Sequence, residues 1–214
     1  MGAGAIYIDG IHVDKCGLDG GNFVLFGKSR AEISNCVSTN ARTRGIWIII
    51  QSHVIIHDTD VSGSKKFGID LDADAEPLTV IYRTKVHNNG YQGLFIEQGA
   101  QFSVLTDNDL TDNQNGVSFY NNDYDELVRD HVVLNNLCYN NRRTGINIGS
   151  RSISYPDNYF PSINSYMIGN IVWNNYLEKN NQQELARTGW ESNGQAYGMV
   201  MLGNGDNDFP GKYL

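Results

Sequence analysis

Apolar and polar residues alternate in short bursts along most of the chain, and bursts of three kinds follow one another in a fixed order. The first is a polar hexapeptide: a polar residue, any residue, a hydrophobic residue, two more, then usually Asn. Its clearest copies are Asn35-Cys36-Val37-Ser38-Thr39-Asn40, Asn108-Asp109-Leu110-Thr111-Asp112-Asn113, Asn136-Leu137-Cys138-Tyr139-Asn140-Asn141 and Asn170-Ile171-Val172-Trp173-Asn174-Asn175. Weaker copies begin at Ile11, Thr59 and Thr84. The second burst is Gly followed by alternating apolar residues, as in Gly45-Ile46-Trp47-Ile48, Gly68-Ile69-Asp70-Leu71, Gly93-Leu94-Phe95-Ile96, Gly116-Val117-Ser118-Phe119 and Gly145-Ile146-Asn147-Ile148. The third precedes each hexapeptide, as in Val54-Ile55-Ile56, Val104-Leu105 and Val132-Val133-Leu134. Period-two alternation sends successive side chains to opposite faces of a strand, so each repeat predicts three short strands.

The hexapeptides start at 11, 35, 59, 84, 108, 136 and 170, so the repeat measures 24, 24, 25, 24, 28 and 34 residues. A repeat of that length with three strands and a triangular cross-section predicts an all-β solenoid, a right-handed parallel β-helix of about seven coils with long loop insertions in the last two. Stacked coils pair in parallel about 4.8 Å apart. Asn recurring at one turn is then expected to form a ladder that satisfies backbone groups inside the bend. The leucine-rich consensus is absent, and a propeller needs a longer period. The expectation is one β-helix domain over residues 1–214, a candidate piece of a longer protein, because no capping helix precedes Ile11. An uncapped solenoid end also leaves room for an oligomer partner.

Composition agrees: 40% of the 214 residues are hydrophobic, Gly is frequent at 23, Pro is rare at 4, and Asn is plentiful, which favours tight turns over helices. A net charge of −8 excludes a general nucleic-acid binder, since no basic stripe offsets phosphate repulsion. Cys16, Cys36 and Cys138 are odd in number and lack CxxC spacing, so they predict neither a disulfide framework nor a zinc site. No apolar run reaches membrane-spanning length, and no leader is visible at the start. The expected location is extracellular or at the cell surface, with the leader outside this sequence.

After each Gly, Ile46, Ile48, Ile69, Leu71, Leu94, Ile96, Val117, Phe119, Ile146 and Ile148 are predicted to fill the core. Their neighbours form two outward columns, Trp47, Asp70, Phe95, Ser118, Asn147 and Ile49, Asp72, Glu97, Tyr120, Gly149. Aromatic rings stack on sugar faces, and carboxylates one coil apart shift each other's pKa, so Asp70, Asp72, Glu97 and Tyr120 are the candidate catalytic residues. Trp47, Phe95, Lys66, Arg143, Arg151 and Tyr155 are the candidate substrate-binding residues. Arg42, Arg44, Lys65 and Arg142 complete a basic rim suited to sugar carboxylates. No metal site is assigned and no cofactor is certain. Calcium stays open, because Asp70, Asp72 and Asp74 offer hard oxygen ligands without the EF-hand Gly and Glu. His12, His53, His57, His87 and His131 fall outside the columns. The insertion from Arg151 to Pro161 is a candidate lid, and Leu177 to Arg187 favours a short surface helix.

From about Ser64 to Asn175 the sequence resembles the catalytic module of bacterial mannuronan (alginate) C5-epimerases. Lys66-Phe67-Gly68-Ile69-Asp70-Leu71-Asp72 is similar to that family's Tyr-Gly-Phe-Asp-Pro-His segment, and the stretch from His87 to Glu97 to its next coil. The Tyr155-Pro156 to Pro161 insertion falls where the family has a Pro-containing loop. The resemblance implies a β-helix, puts Asp70 in the place of a catalytic-site Asp, and makes Glu97 an acidic groove residue. It also shows departures: Asp72 stands where a catalytic His is expected, Phe67 where a catalytic Tyr is expected, and Gln114 where a groove Arg is expected.

The chain is therefore expected to act on a polysaccharide, an acidic one, by epimerase-like or lyase-like chemistry. Such chemistry needs a base for the sugar H5, an acid, and a group to neutralise the uronate carboxylate. Tyr120 or Tyr155 can supply a phenol, and Arg143 or Arg151 the neutralising charge. Two alternatives stay open: a glycoside hydrolase using Asp70, Asp72 and Glu97 as acid and base, and a non-catalytic solenoid that only holds glycan.

Overall fold

A computed structural model describes residues 5–16, 20–27, 30–49, 52–72, 78–97, 100–120, 130–148, 150–151, 159–160, 166–173, 175 and 197–201. Among these the chain is a right-handed parallel β-helix with three sheets of seven strands each, in which every strand pairs in parallel with its counterpart one coil away. Sheet A runs from Ala5–Asp9 through Arg30–Ser34, His53–His57, Thr79–Tyr82, Ser103–Thr106 and Val132–Leu134 to Tyr166–Ile168. Sheet B stacks His12–Asp14, Val37–Thr39, Asp60–Ser62, Lys85–His87, Asp109–Thr111, Leu137–Tyr139 and Ile171–Trp173. Sheet C stacks Gly21–Phe26, Arg44–Ile49, Phe67–Asp72, Gln92–Glu97, Asn115–Tyr120, Thr144–Ile148 and Tyr197–Met201. These are the third, first and second sequence bursts. No helix among the described residues is long and apolar enough to cross a membrane. The segment from Leu177 to Arg187 lies outside the described residues. Part of the expected lid is an antiparallel pair, Ser150–Arg151 against Tyr159–Phe160.

The core is the column of inward residues that the alternation predicts. Ile46, Ile48, Ile69, Ile96, Val117 and Ile146 are fully buried, and Leu71, Leu94 and Phe119 nearly so. Val54, Ile56, Ile81, Leu105 and Val133 enter from sheet A, and Val61, Val86, Leu110 and Cys138 from sheet B. Cys36 and Cys138 are buried free thiols.

Every corner between sheets A and B is two residues long, and each does two things. Its first residue, Gly10, Asn35, Asp58, Arg83, Asp107, Asn135 or Gly169, sits in the left-handed region with φ between 47° and 68°. Asn and Asp tolerate that conformation better than other residues with a side chain. From Cys36 onward its second residue turns inward, and from Thr84 to Asn170 these positions form the ladder. The backbone N–H of Thr84 donates to Asn108 Oδ1 at 3.1 Å, that of Asn108 to Asn136 Oδ1 at 3.1 Å, and that of Asn136 to Asn170 Oδ1 at 2.9 Å. Each Nδ2 donates back to the previous coil, Asn108 to Ile81 O and Asn136 to Leu105 O. A second ladder closes the corner between sheets B and C, where Ser64, Asn89, Asn113 and Asn141 donate from their backbones to the Asn one coil on, ending at Asn175.

This geometry corrects one register. Asn35 and Asn40 are not ladder residues: both are exposed and left-handed, and the buried positions beside them are Cys36 and Ala41. Asn35 and Asn40 instead donate outward, each at 2.8 Å, to Asp9 and Asp14 of the preceding coil.

The repeated Gly lies where sheet C begins, packed against the second ladder. A Cβ on Gly68 would come within 2.6 Å of Gly93 O and 2.8 Å of Asn89 Nδ2, and one on Gly93 within 2.8 Å of both Gly116 O and Asn113 Nδ2. Replacing Gly93 by Ala is therefore expected to push coils apart. Asn113→Ala should be costly as well, because it leaves the buried N–H of Asn89 without its acceptor and takes the side-chain donor from the carbonyl of Val86. At ~1–3 kcal/mol for the abandoned N–H, the loss should be read as a lowered midpoint in urea unfolding.

Candidate active site

The alternation that fills the core also composes the outer face of sheet C. The pairing sets Val24 opposite Trp47, Trp47 opposite Asp70, Asp70 opposite Phe95, Phe95 opposite Ser118 and Ser118 opposite Asn147. The second column sets Phe26 opposite Ile49, Ile49 opposite Asp72 and Glu97 opposite Tyr120. Asp70, Asp72 and Glu97 converge, with one carboxylate oxygen from each lying within 4.8 Å of the others. That spread couples their charges, and it can also be bridged by one hard cation such as Ca2+.

An open acidic groove was the expectation, and burial corrects it. Asp70 is fully buried, Phe95 and Glu97 nearly so, and only Asp72 of the three acids is half-exposed. The cause is the layer above them. Phe67 stacks on Phe95 with centroids 4.5 Å apart and approaches Tyr91 at 5.9 Å. Arg44 extends over the column, its guanidinium 4.1 Å from the Trp47 ring centroid and 5.5 Å from that of Phe67, and its Nε donates to Asp70 Oδ2. Trp47 Nε1 donates to Asp72 Oδ2 at 3.1 Å. The other oxygen of Asp70 is buried with no hydrogen-bond partner among the described residues.

This environment makes the two buried acids weak. Burial pushes the Asp70 carboxyl up to about 7, with Arg44 opposing and the Asp72 charge adding to the rise. Glu97 is pushed up to about 8, first by burial and then by the negative charges of Asp70 and Asp72. Both can give or take a proton near neutrality, which is what proton-transfer chemistry requires.

The remaining predicted residues divide. Lys66 is exposed at the turn before Phe67, and Arg143 is half-buried in the equivalent turn near the other end of the face. Arg142 turns back into the fold, donating at 3.1 Å to Asn89 O and also to Gly90 O, so it holds a turn together. Arg151 has its backbone in the short antiparallel pair. Tyr155 and the side chains of Tyr120 and Arg151 lie outside the described residues. His57 and His87 are fixed to carboxylates elsewhere, His57 to Asp58 at 2.7 Å and to Glu32 at 3.1 Å, His87 to Asp60 at 2.9 Å. His131 is fully buried. Arg44 is the residue whose place at the centre sequence reasoning missed. It precedes its Gly as Phe67, Gln92, Asn115 and Thr144 precede theirs, and those positions are a third outward column that stacks in register, Arg44 opposite Phe67 and Gln92 opposite Asn115.

Residues 3–129 match the model of the right-handed β-helix region. The chain belongs to that family. A search of curated proteins gives no match. Solved structures of similar shape include the periplasmic alginate epimerase AlgG, at 17% identity over 94% of this chain and 48% of that one, with a TM-score of 0.61. A point mutant of AlgG gives 17%, 92%, 47% and 0.60. The A-module of Azotobacter vinelandii mannuronan C-5 epimerase AlgE4 gives 15%, 81%, 57% and 0.50. This β-helix thus spans about half the length of AlgG, and identities this low show likeness of fold alone. The resemblance to alginate epimerases read from the sequence holds at that level.

The raised carboxyls make stability depend on pH. Glu97 binds its proton more tightly folded, up to about 8, than at its ordinary value near 4.5, so its stabilising contribution is complete below that value and is lost as pH rises towards 8. Glu97→Gln removes this titration. The melting temperature of the wild type, compared with that of the variant, should fall between pH 5 and 8, and parallel curves would contradict it.

Proposed function

We propose that this chain is an enzyme of acidic polysaccharides that removes the C5 proton of a uronate residue. The observation that carries this reading is the meeting, on one sheet face, of two carboxyls raised to about 7 and 8 with a third that is half-exposed, beneath an aromatic and guanidinium layer. Asp72, reaching the surface and oriented by Trp47, is the base. Glu97, protonated at neutral pH, is the acid. Asp70 lies behind them and holds Arg44. Phe67 has no hydroxyl, so a tyrosine step at that position is replaced by carboxyl chemistry.

Asp72 and Glu97 approach a sugar from one side. Elimination suits that arrangement: Asp72 takes H5, the electron pair forms the C4–C5 double bond, and Glu97 protonates the departing O4. Epimerisation needs a proton returned to the opposite face of C5, which would require a donor from outside the acidic trio. The likeness in fold to alginate epimerases supports a uronate substrate for either outcome, and a polymer of that kind supports a location outside the cytoplasm. A second reading, glycoside hydrolysis, is favoured by one distance: oxygens within 4.8 Å lie near the ~5 Å carboxyl spacing of retaining hydrolases.

Incubation with alginate and with pectate in D2O separates these outcomes. Elimination gives the absorbance of an unsaturated uronate, epimerisation gives exchanged and inverted H5 signals, and hydrolysis gives reducing ends alone. Asp72→Asn and Glu97→Gln should each lower the rate roughly 10²–10⁴-fold. Absence of all three products, or variants as active as the wild type, would refute the proposal.

A further inference from the structure

Arg44 is constrained on several sides, yet part of it is unused. Its Nε is bound to buried Asp70, and two aromatic rings lie against its plane at 4.1 and 5.5 Å. An ion pair that only tied the strand Arg44–Ile49 to the strand Phe67–Asp72 would need no more than that edge. The two Nη groups donate to no described residue, and the side chain keeps 17% exposure, so it is not closed off from solvent. Arg142 is the contrast within the same fold, since its Nη is spent on the carbonyls of Asn89 and Gly90. Guanidinium carries five donors in a rigid plane, and two parallel N–H bonds from one edge match the two oxygens of a carboxylate.

We infer that Arg44 is the residue that reads a sugar carboxylate, taking it end-on through its Nη edge while Asp70 fixes the other edge. The inference rests on the uronate reading above and names the group that recognises the acid. Asp70 is a positioning residue here: it sets the plane of the fork, and Trp47 and Phe67 prevent the fork from rotating. Trp47 also holds Asp72 at 3.1 Å, so the same ring ties the carboxylate reader to the base. A carboxylate seated on Arg44 brings the adjacent C5 beside Asp72 and Glu97. The positive charge is available for this purpose because burial keeps a proton on Asp70 for much of the time near neutral pH. A neutral sugar offers the fork only hydroxyls, so discrimination between acid and ester follows from a single side chain. Lys66, exposed one turn away, adds general attraction for a polyanion without orienting any one carboxylate.

The test is calorimetric binding at neutral pH of short oligomannuronates and oligogalacturonates, and of their methyl esters, to the wild type, Arg44→Gln and Arg44→Lys. The acidic oligomers should bind the wild type more tightly than the esters. Arg44→Gln should weaken acid binding roughly tenfold to hundredfold and leave ester binding unchanged, while Arg44→Lys, charged but without a planar fork, recovers only part of the loss. Circular dichroism establishes that each variant is folded, and if Arg44→Gln is not, Arg44→Lys and the acid–ester difference in the wild type still decide. Equal binding of acid and ester by the wild type, or undiminished acid binding by Arg44→Gln, overturns the inference. Arg44-dependent binding without any product would instead refute the proposed chemistry and uphold the reader. Turnover that Arg44→Gln leaves unaltered would do the reverse.

Discussion

Along the described ladders, successive coils close through a pair of adjacent residues at each corner, one in a left-handed backbone and one with its side chain turned inward. The first reverses the chain without a long loop, and the second supplies the polar partners that a buried bend would otherwise lack. The Asn side chain suits the inward position because its carbonyl accepts a backbone N–H while its amide donates to the coil behind. In the two Asn ladders this bonding repeats from Asn108 to Asn170 and from Asn89 to Asn175, with Thr84 and Ser64 as their outer members. A bend left unsatisfied in this way would cost ~1–3 kcal/mol per group, so the apolar column of the core depends on the ladders for its register.

The site is a by-product of the same order. Because coils stack in register, residues that are distant in sequence become neighbours on the outer face, and charges placed on consecutive coils meet at close range. Asp70 and Asp72 on one strand and Glu97 on the next would repel if all three were ionised. Roofing by Arg44, Trp47 and Phe67 removes water as well, and the consequence is proton retention at two of them. The fold thereby converts an ordinary acidic patch into groups with useful titration near neutrality. Arg44 offsets part of the charge through one edge only, which is why its placement matters more than its mere presence in a basic rim.

The repeat was legible because its physical basis is local. Alternation reports which face a side chain takes, and Asn, Asp and Gly report where the chain turns. Core residues such as Ile46, Leu71 and Phe119, and the outward order from Trp47 to Asn147, follow directly. The register slip at Asn35 arose because Asn suits both positions of a corner, the left-handed one and the inward one, and the hexapeptide pattern does not distinguish them. Burial of Asp70 and Glu97 was not legible, since alternation gives direction and says nothing of what lies above a face. Arg44 was read only as part of a basic rim, and its central place was missed for a related reason: it stands before the glycine, outside the alternating run, and only the pairing of Arg44 with Phe67 makes that position a column.

The two-residue corners between sheets A and B never vary in length, whereas the segments leading from sheet C to sheet A run from residues 27–29 in an early coil to residues 149–165 in a late one. All such segments depart from the end of sheet C where Asp72 and Glu97 stand. The molecule is thus divided into an edge that cannot accept an added residue without losing a ladder rung and an edge that accepts many. Descendants of such a chain can lengthen, shorten or exchange the loops beside the acidic trio while the frame stays constant. A change in what that face meets therefore requires no new architecture.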